Sequence, residues 1–266
     1  MKRLLNGLTI GVLLTVLLAA LAGCMTLAGG NPLGLGDSWR EEVLLHDGCK
    51  IIVKRSVDRG GRHEIGQQPP IKEQSLSFTI PATKENVTWK SEYSEDVGLA
   101  DFMPLLLDIV QGTAYVVSTP VGCLSYNKWG RPNPPYVVFR YANKAWQNIA
   151  LQELPAEIKK LNLIISSPDN KVNQLGKRLV SAEEIRKINS RLTQPEFKTI
   201  LREPVRILKS RECAEMIPDG NRGWIGIGWF KKQPSYDACL DVCKKNKMSS
   251  QYCPCDRLFD KTTKEK

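Results

Sequence analysis

Four of the chain's eight cysteines, Cys239, Cys243, Cys253 and Cys255, crowd into one short stretch near its end. If Ser235-Tyr236-Asp237 caps a helix running through Lys247, Cys239 and Cys243 stand at i and i+4 and share a face. Cys253 and Cys255 stand at i and i+2 and share one face of an extended segment. An antiparallel return sets two thiols opposite two thiols and favours the nested pairing Cys239–Cys255 and Cys243–Cys253. A closed loop of about fifteen residues is worth roughly 3 kcal/mol in the chain-entropy view, which suits a tail with little apolar core. The same cysteines also admit a soft-metal site for Cu(I) or Zn(II) or a catalytic redox pair. Against the metal, the C-x3-C spacing differs from common C-x2-C pairs, and neither His46 nor His63 lies near them in sequence. The compartment therefore decides how these residues are read.

The compartment is written at the start of the chain. Lys2 and Arg3 precede an uncharged apolar stretch from Leu4 to Leu21, which ends in Leu21-Ala22-Gly23-Cys24. Large aliphatic, small, small, Cys resembles the lipobox of bacterial lipoproteins. The resemblance covers the leader alone. It implies cleavage after Gly23, diacylglycerol on the Cys24 sulfur and a further acyl chain on its amino group. Two or three chains give a stable anchor, at about 0.8 kcal/mol per buried methylene. An uncleaved membrane-spanning anchor and ordinary secretion are the competing readings. Met25, where an Asp usually favours retention at the inner membrane, implies the outer membrane with the body in the periplasm.

Four regions follow: a signal peptide over 1–23, a flexible lipidated tether over 24–37, a β-rich domain over 38–170, and a basic, helical and Cys-rich region over 171–266. The Gly-rich residues after Cys24 would reach at most about 45 Å and roughly 20 Å on average. From Trp39 the hydrophobic period is two. Trp39 to Leu45 and Lys50 to Val57 flank His46-Asp47-Gly48 as a hairpin. Ser75 to Ile80 with Val87 to Tyr93, Leu105 to Val110 with Thr113 to Ser118, and Tyr136 to Tyr141 with Ala145 to Leu151 repeat the pattern. The last hairpin weakly resembles a propeller blade, but the region is too short for a closed propeller. The expected class is α+β: an antiparallel β-rich body, as an open sheet or small sandwich, then two short helices and a small disulfide-rich tail. Ser181-Ala182-Glu183-Glu184 forms a capping box and predicts a helix from Ala182 to Leu192. Thr193 with Glu196 predicts a second, through Leu201. An exported chain meets no chromosome, so this pair predicts no nucleic-acid partner.

Residues 171–266 carry 21 Lys+Arg against 12 Asp+Glu, whereas 24–170 carry 15 against 16. A tail of net +9 is either a solvated surface or an attraction to phospholipid, lipopolysaccharide or peptidoglycan. Only two histidines exist, His46 and His63, which argues against multi-histidine metal or haem chemistry. No phosphate loop, nucleophile elbow or His-Glu-x-x-His occurs. No catalytic residue, metal ligand or cofactor is therefore expected beyond the covalent lipid on Cys24. Read as a strand, Gly223 to Lys232 puts Trp224 and Phe230 beside bare glycines, as a slot for a sugar or peptide, with Lys231 and Lys232 facing an anion. Close packing of another chain segment over those glycines, or insertion into a lipid interface, competes with the slot. Cys49, Cys123 and Cys213 complete the disulfide candidates, with Cys213 or Cys123 as the expected odd thiol. The function expected is a non-enzymatic interaction or structural role in the envelope, toward a protein partner or anionic polymer. The alternative is a periplasmic thiol-redox or soft-metal-binding protein, or an envelope enzyme, using the C-terminal cysteines.

Overall fold

The computed structural model describes residues 37–61, 63–206 and 212–259. The leader, Cys24 and most of the tether lie outside the described residues. The class is α+β. Strand β1 (Asp37–Leu44) pairs antiparallel with β2 (Lys50–Arg59), β2 with β3 (Ile71–Thr79), and β3 with β4 (Asn86–Ser91). A two-residue ribbon of β5 (Tyr93–Ser94) and β6 (Leu99–Ala100) leads to the second sheet. That sheet is a meander of β7 (Phe102–Val110), β8 (Thr113–Pro120), β9 (Val137–Ala142) and β10 (Ala145–Ile149).

The expected hairpins form, and local chemistry closes them. Asp47 Oδ1 accepts the Cys49 N–H at 2.9 Å, and Gly48 takes φ +88° at the turn between β1 and β2. Gln111 and Gly112 both have positive φ, as do Asn143 and Lys144, the backbone pair that matches strand twist in two-residue hairpins. Alternation puts Val43, Val53, Leu76 and Trp89 of the first sheet on one buried face. They meet Leu107, Val116 and Phe139 of the second sheet in a common core, so the body is a sandwich. Phe102 and Trp129 pack tilted with centroids 4.6 Å apart, and Trp89 meets Phe139 edge-on at 5.7 Å.

The second sheet departs from simple alternation because both of its faces are covered. Leu105, Val117 and Val138 pack outward against Leu154, Ile158, Ile165 and Ile200, which belong to the chain that wraps that face. Burying each such side chain is worth about 1.5–3 kcal/mol. Inside the first sheet a polar layer separates two apolar clusters. The fully buried Arg55 donates to Glu41 Oε1 at 3.2 Å and to the Ile164 carbonyl at 2.7 Å. Trp39 Nε1 donates to the same Glu41 oxygen, and the Ile164 N–H donates to Glu41 Oε2. This layer fixes where residues 162–165 cross the sandwich.

Helix α1 (Gly122–Lys128) follows β8. Helix α2 (Pro168–Leu175) has no counterpart among the sequence expectations, although Pro168 and Asp169 in its first turn are ordinary start signals. Arg59 grips Asp169 through two hydrogen bonds, at 2.6 and 2.8 Å. Strand β11 (Leu179–Val180) then adds parallel to β1, so residues on both sides of position 170 share one sheet. Helix α3 (Ala182–Asn189) carries the predicted box: Ser181 Oγ accepts the Glu184 N–H, and Glu184 accepts the Ser181 N–H. It stops at Asn189, whose side chain turns inward to the Leu163 carbonyl and the Ile165 N–H.

The predicted second helix does not form. Only a 3-10 turn, Pro195–Phe197, occupies that segment. The Tyr136 hydroxyl is placed against the Glu196 and Thr199 carbonyls, and the Ile200 N–H bonds to the Lys159 carbonyl. Tertiary partners thus take the backbone groups a helix would have used. The tail comprises β12 (Met216–Pro218), β13 (Trp224–Gly226), α4 (Ile227–Lys231), α5 (Tyr236–Lys245) and α6 (Cys255–Leu258). The region after α3 therefore holds three short helices, among them α5, the one expected from the cap at Ser235.

Candidate functional site

The cysteines resolve into bridges. Cys239 pairs with Cys255 and Cys243 with Cys253, the nested arrangement expected from helical and extended spacing. Ser235 Oγ accepts the Ala238 N–H and starts α5 where predicted. The expectation of an odd thiol at Cys123 or Cys213 is corrected: these two pair with each other across 90 residues. That bridge fastens the tail to α1, where Asn127 also donates to the Ala214 carbonyl and accepts the Met216 N–H. Cys49 stands at the β1–β2 turn, partly buried against the main core. The sulfurs of Cys243, Cys253 and Cys255 lie within 4.8 Å of one another, a cluster made by two neighbouring bridges.

The aromatic slot is likewise corrected. The strand ends at Gly226, and Ile227–Lys231 is helical, because Ile227 and Phe230 at i and i+3 both pack on the cystines. Phe230 is wholly buried in that small core. Trp224, on the strand side, donates its indole N–H to the Asp96 carbonyl at 2.8 Å. The two rings therefore do not flank a common floor. Lys231 and Lys232 are exposed, and beside them Trp229 is 68% exposed.

A different place gathers chemistry that sequence reasoning did not assemble. The β1–β2 turn, residues 157–162, α3 and Lys198 surround a cleft of about 740 Å³. Its walls are tied together by Asn162, which donates to the Leu44 and Leu107 carbonyls and accepts the Leu107 N–H. Leu44, Leu45, Leu161 and Ile185 form its apolar surface, and Leu44 is 44% exposed there. Lys159, Lys160, Arg186 and Lys198 stand exposed at its edge. Glu157 and Glu183 are the acidic groups among them, and Lys50 is already paired with Glu42 at 2.8 Å. The rim is therefore net positive.

At one end His46 Nδ1 meets Asp108 Oδ1 at 2.8 Å, and the His46 N–H donates to Asp108 Oδ2 at 3.0 Å. The hydrogen bond to Asp108 raises the His46 pKa above its ordinary value, outweighing the opposite pull of partial burial. Asp108 also accepts the Ile109 N–H. The carboxylate thus fixes the turn, and the pair needs no further partner for its structural task. Sequence did contain a signal: Asp108 is a lone charge inside the apolar run from Leu105 to Val110. Its mate was invisible because the two lie 62 positions apart. His63 sits in the polar loop, exposed, with Nδ1 at 2.8 Å from the Gly61 carbonyl.

A larger hollow of about 960 Å³ lies beside Pro132, Tyr136 and Arg202. Arg202 is turned to the backbone there, donating from its two terminal nitrogens to the carbonyls of Leu151, Leu154, Pro155 and Ile158. No helix among the described residues is long and apolar enough to cross a membrane. No protein-family model, curated protein or solved structure matches this chain.

Proposed function

We propose that this protein is a bacterial envelope lipoprotein, anchored through lipid on Cys24 at the outer membrane and facing the periplasm. Its role is a non-enzymatic one: it holds a protein partner or an anionic envelope polymer. The observation that supports the compartment is the set of three bridges, Cys123–Cys213, Cys239–Cys255 and Cys243–Cys253. Disulfides persist in exported proteins and are rare in a reducing cytosol. The net positive rim of the cleft, added to the basic tail, supports an anionic partner. Pull-down of the native lipoprotein with peptidoglycan and with lipopolysaccharide tests the role. Retention that weakens steeply with salt is the expected result, because exposed charges are screened beyond about 8–10 Å. Retention of neither polymer, with no envelope protein cross-linked in cells, would count against the reading.

A second reading has one observation in its favour, the sulfur cluster of Cys243, Cys253 and Cys255. Opened by a dithiol reductant, each bridge gives two thiols, and deprotonated thiolates at such spacing suit Zn(II) or Cu(I). Titration of the reduced protein with zinc separates the two. Stoichiometric uptake with the tail still folded favours the metal reading; collapse of the tail without uptake favours bridges that are purely structural.

A further inference from the structure

We propose that the cleft between the β1–β2 turn and α3 binds a single-chain anionic amphiphile, a long-chain fatty acid being its simplest form. Three features carry this. The volume, about 740 Å³, lies within the roughly 300–1,000 Å³ common for small-molecule sites. Its surface is divided by chemistry: Leu44, Leu45, Leu161 and Ile185 offer apolar contact, while Lys159, Lys160, Arg186 and Lys198 offer charge at the mouth. Leu44 is among the few large apolar side chains left exposed in the described body, and it stands at this cleft. A lone exposed leucine needs no explanation; one set under a basic rim matches an acyl chain with an acid at its end.

A polymer of sugars would use the rim and leave the leucines uncovered. A free phosphate would do the same. The amphiphile uses both, its carboxylate among the basic side chains and its chain along the leucines. The long stems of Lys159, Lys160 and Arg186 extend the apolar wall while their heads remain in water. His46 needs no new role here, because Asp108 already holds it. The proposal does not depend on lipid at Cys24, so either claim survives the failure of the other.

The test uses the full-length protein in neutral detergent, irradiated with a diazirine analogue of palmitic acid, with labelled peptides mapped by mass spectrometry. Label is expected on peptides holding Leu44 to His46 or Lys160 to Asn162. Palmitate should compete, whereas its methyl ester and inorganic phosphate should compete about tenfold less well or worse. The double variant Lys160→Glu with Arg186→Glu, and separately Leu44→Gln, should each lose most of that label at an unchanged melting temperature. Because these positions are exposed, folding is spared, and the competition series on the unaltered protein stands even where a variant is unstable. Label spread evenly over the surface, equal competition by the methyl ester, or equal competition by phosphate would each overturn the proposal.

Discussion

Asp108 illustrates how one buried carboxylate can set a turn 62 positions away. His46 is the group whose titration reports it. Its folded pKa is raised by the Asp108 hydrogen bond. The stability from this pair is therefore full just below the unfolded histidine value, about 6.5, and is lost as pH rises through the folded value; it falls again at the acid end, where burial raises the Asp108 carboxyl. Replacing Asp108 by Asn should move the His46 proton resonances to titrate at lower pH in NMR, and should flatten the fall in melting temperature between acid and neutral pH. A His46 titration unmoved by that change would refute the assignment. Asp169 has the opposite sign. Burial alone would raise it, but the Arg59 guanidinium wins and holds it below the ordinary carboxylate range. Its contribution is present above about pH 4 and disappears as pH falls through the depressed value. Arg59→Gln should lower the melting temperature at neutral pH and remove part of the acid-limb slope in a pH series. Neither pair was legible in the sequence. Each joins residues far apart, and local spacing carries no information about such partners.

At the scale of elements, legibility followed the reach of the forces involved. The hairpins were readable because their causes are local: alternation, and turn residues such as Asp47-Gly48 and Gln111-Gly112. The capping box at Ser181 was readable for the same reason. Ser181→Ala should cost about 1 kcal/mol by denaturant unfolding. Glu184, drawn down to about 2 by Lys177 and by the Ser181 groups, marks how strongly that corner favours its charge. The failures came where tertiary contacts outbid propensity. Thr193 to Leu201 gave up a helix for bonds to Tyr136 and Lys159. Gly223 to Lys232 gave up a continuous strand so that Phe230 could reach the cystines. One glycine has a specific mechanical cause. Gly61 adopts φ +88°, and a Cβ there would stand 2.5 Å from the Gly98 carbonyl oxygen. Gly61→Ala should destabilise by more than about 1 kcal/mol, and by more than Gly66→Ala, which shares the positive φ but has nothing within 4 Å of its Cβ.

Across the whole molecule, two kinds of cohesion coexist. The sandwich is held by its double core, and the tail by a small cluster of Ile227, Phe230 and the cystines. The Cys123–Cys213 bridge joins them. Removing Cys239–Cys255 by paired alanines should therefore loosen the tail while the sandwich keeps its amide protection, as hydrogen exchange would reveal. Loss of protection throughout would instead make the tail an integral part of the body's folding. The nested pairing was legible because a helix and a short return leave few geometries; the Cys123–Cys213 pair was not, because its loop is long. The compartment of the protein rests on one sulfur. Mass spectrometry of the protein isolated from bacterial membranes measures it most directly. The predicted result is an N-terminal peptide beginning at Cys24 that carries diacylglycerol on its sulfur and an acyl chain on its amine. A peptide in which Cys24 is unacylated, whether with the leader intact or with its sulfur joined to Cys49, would contradict it.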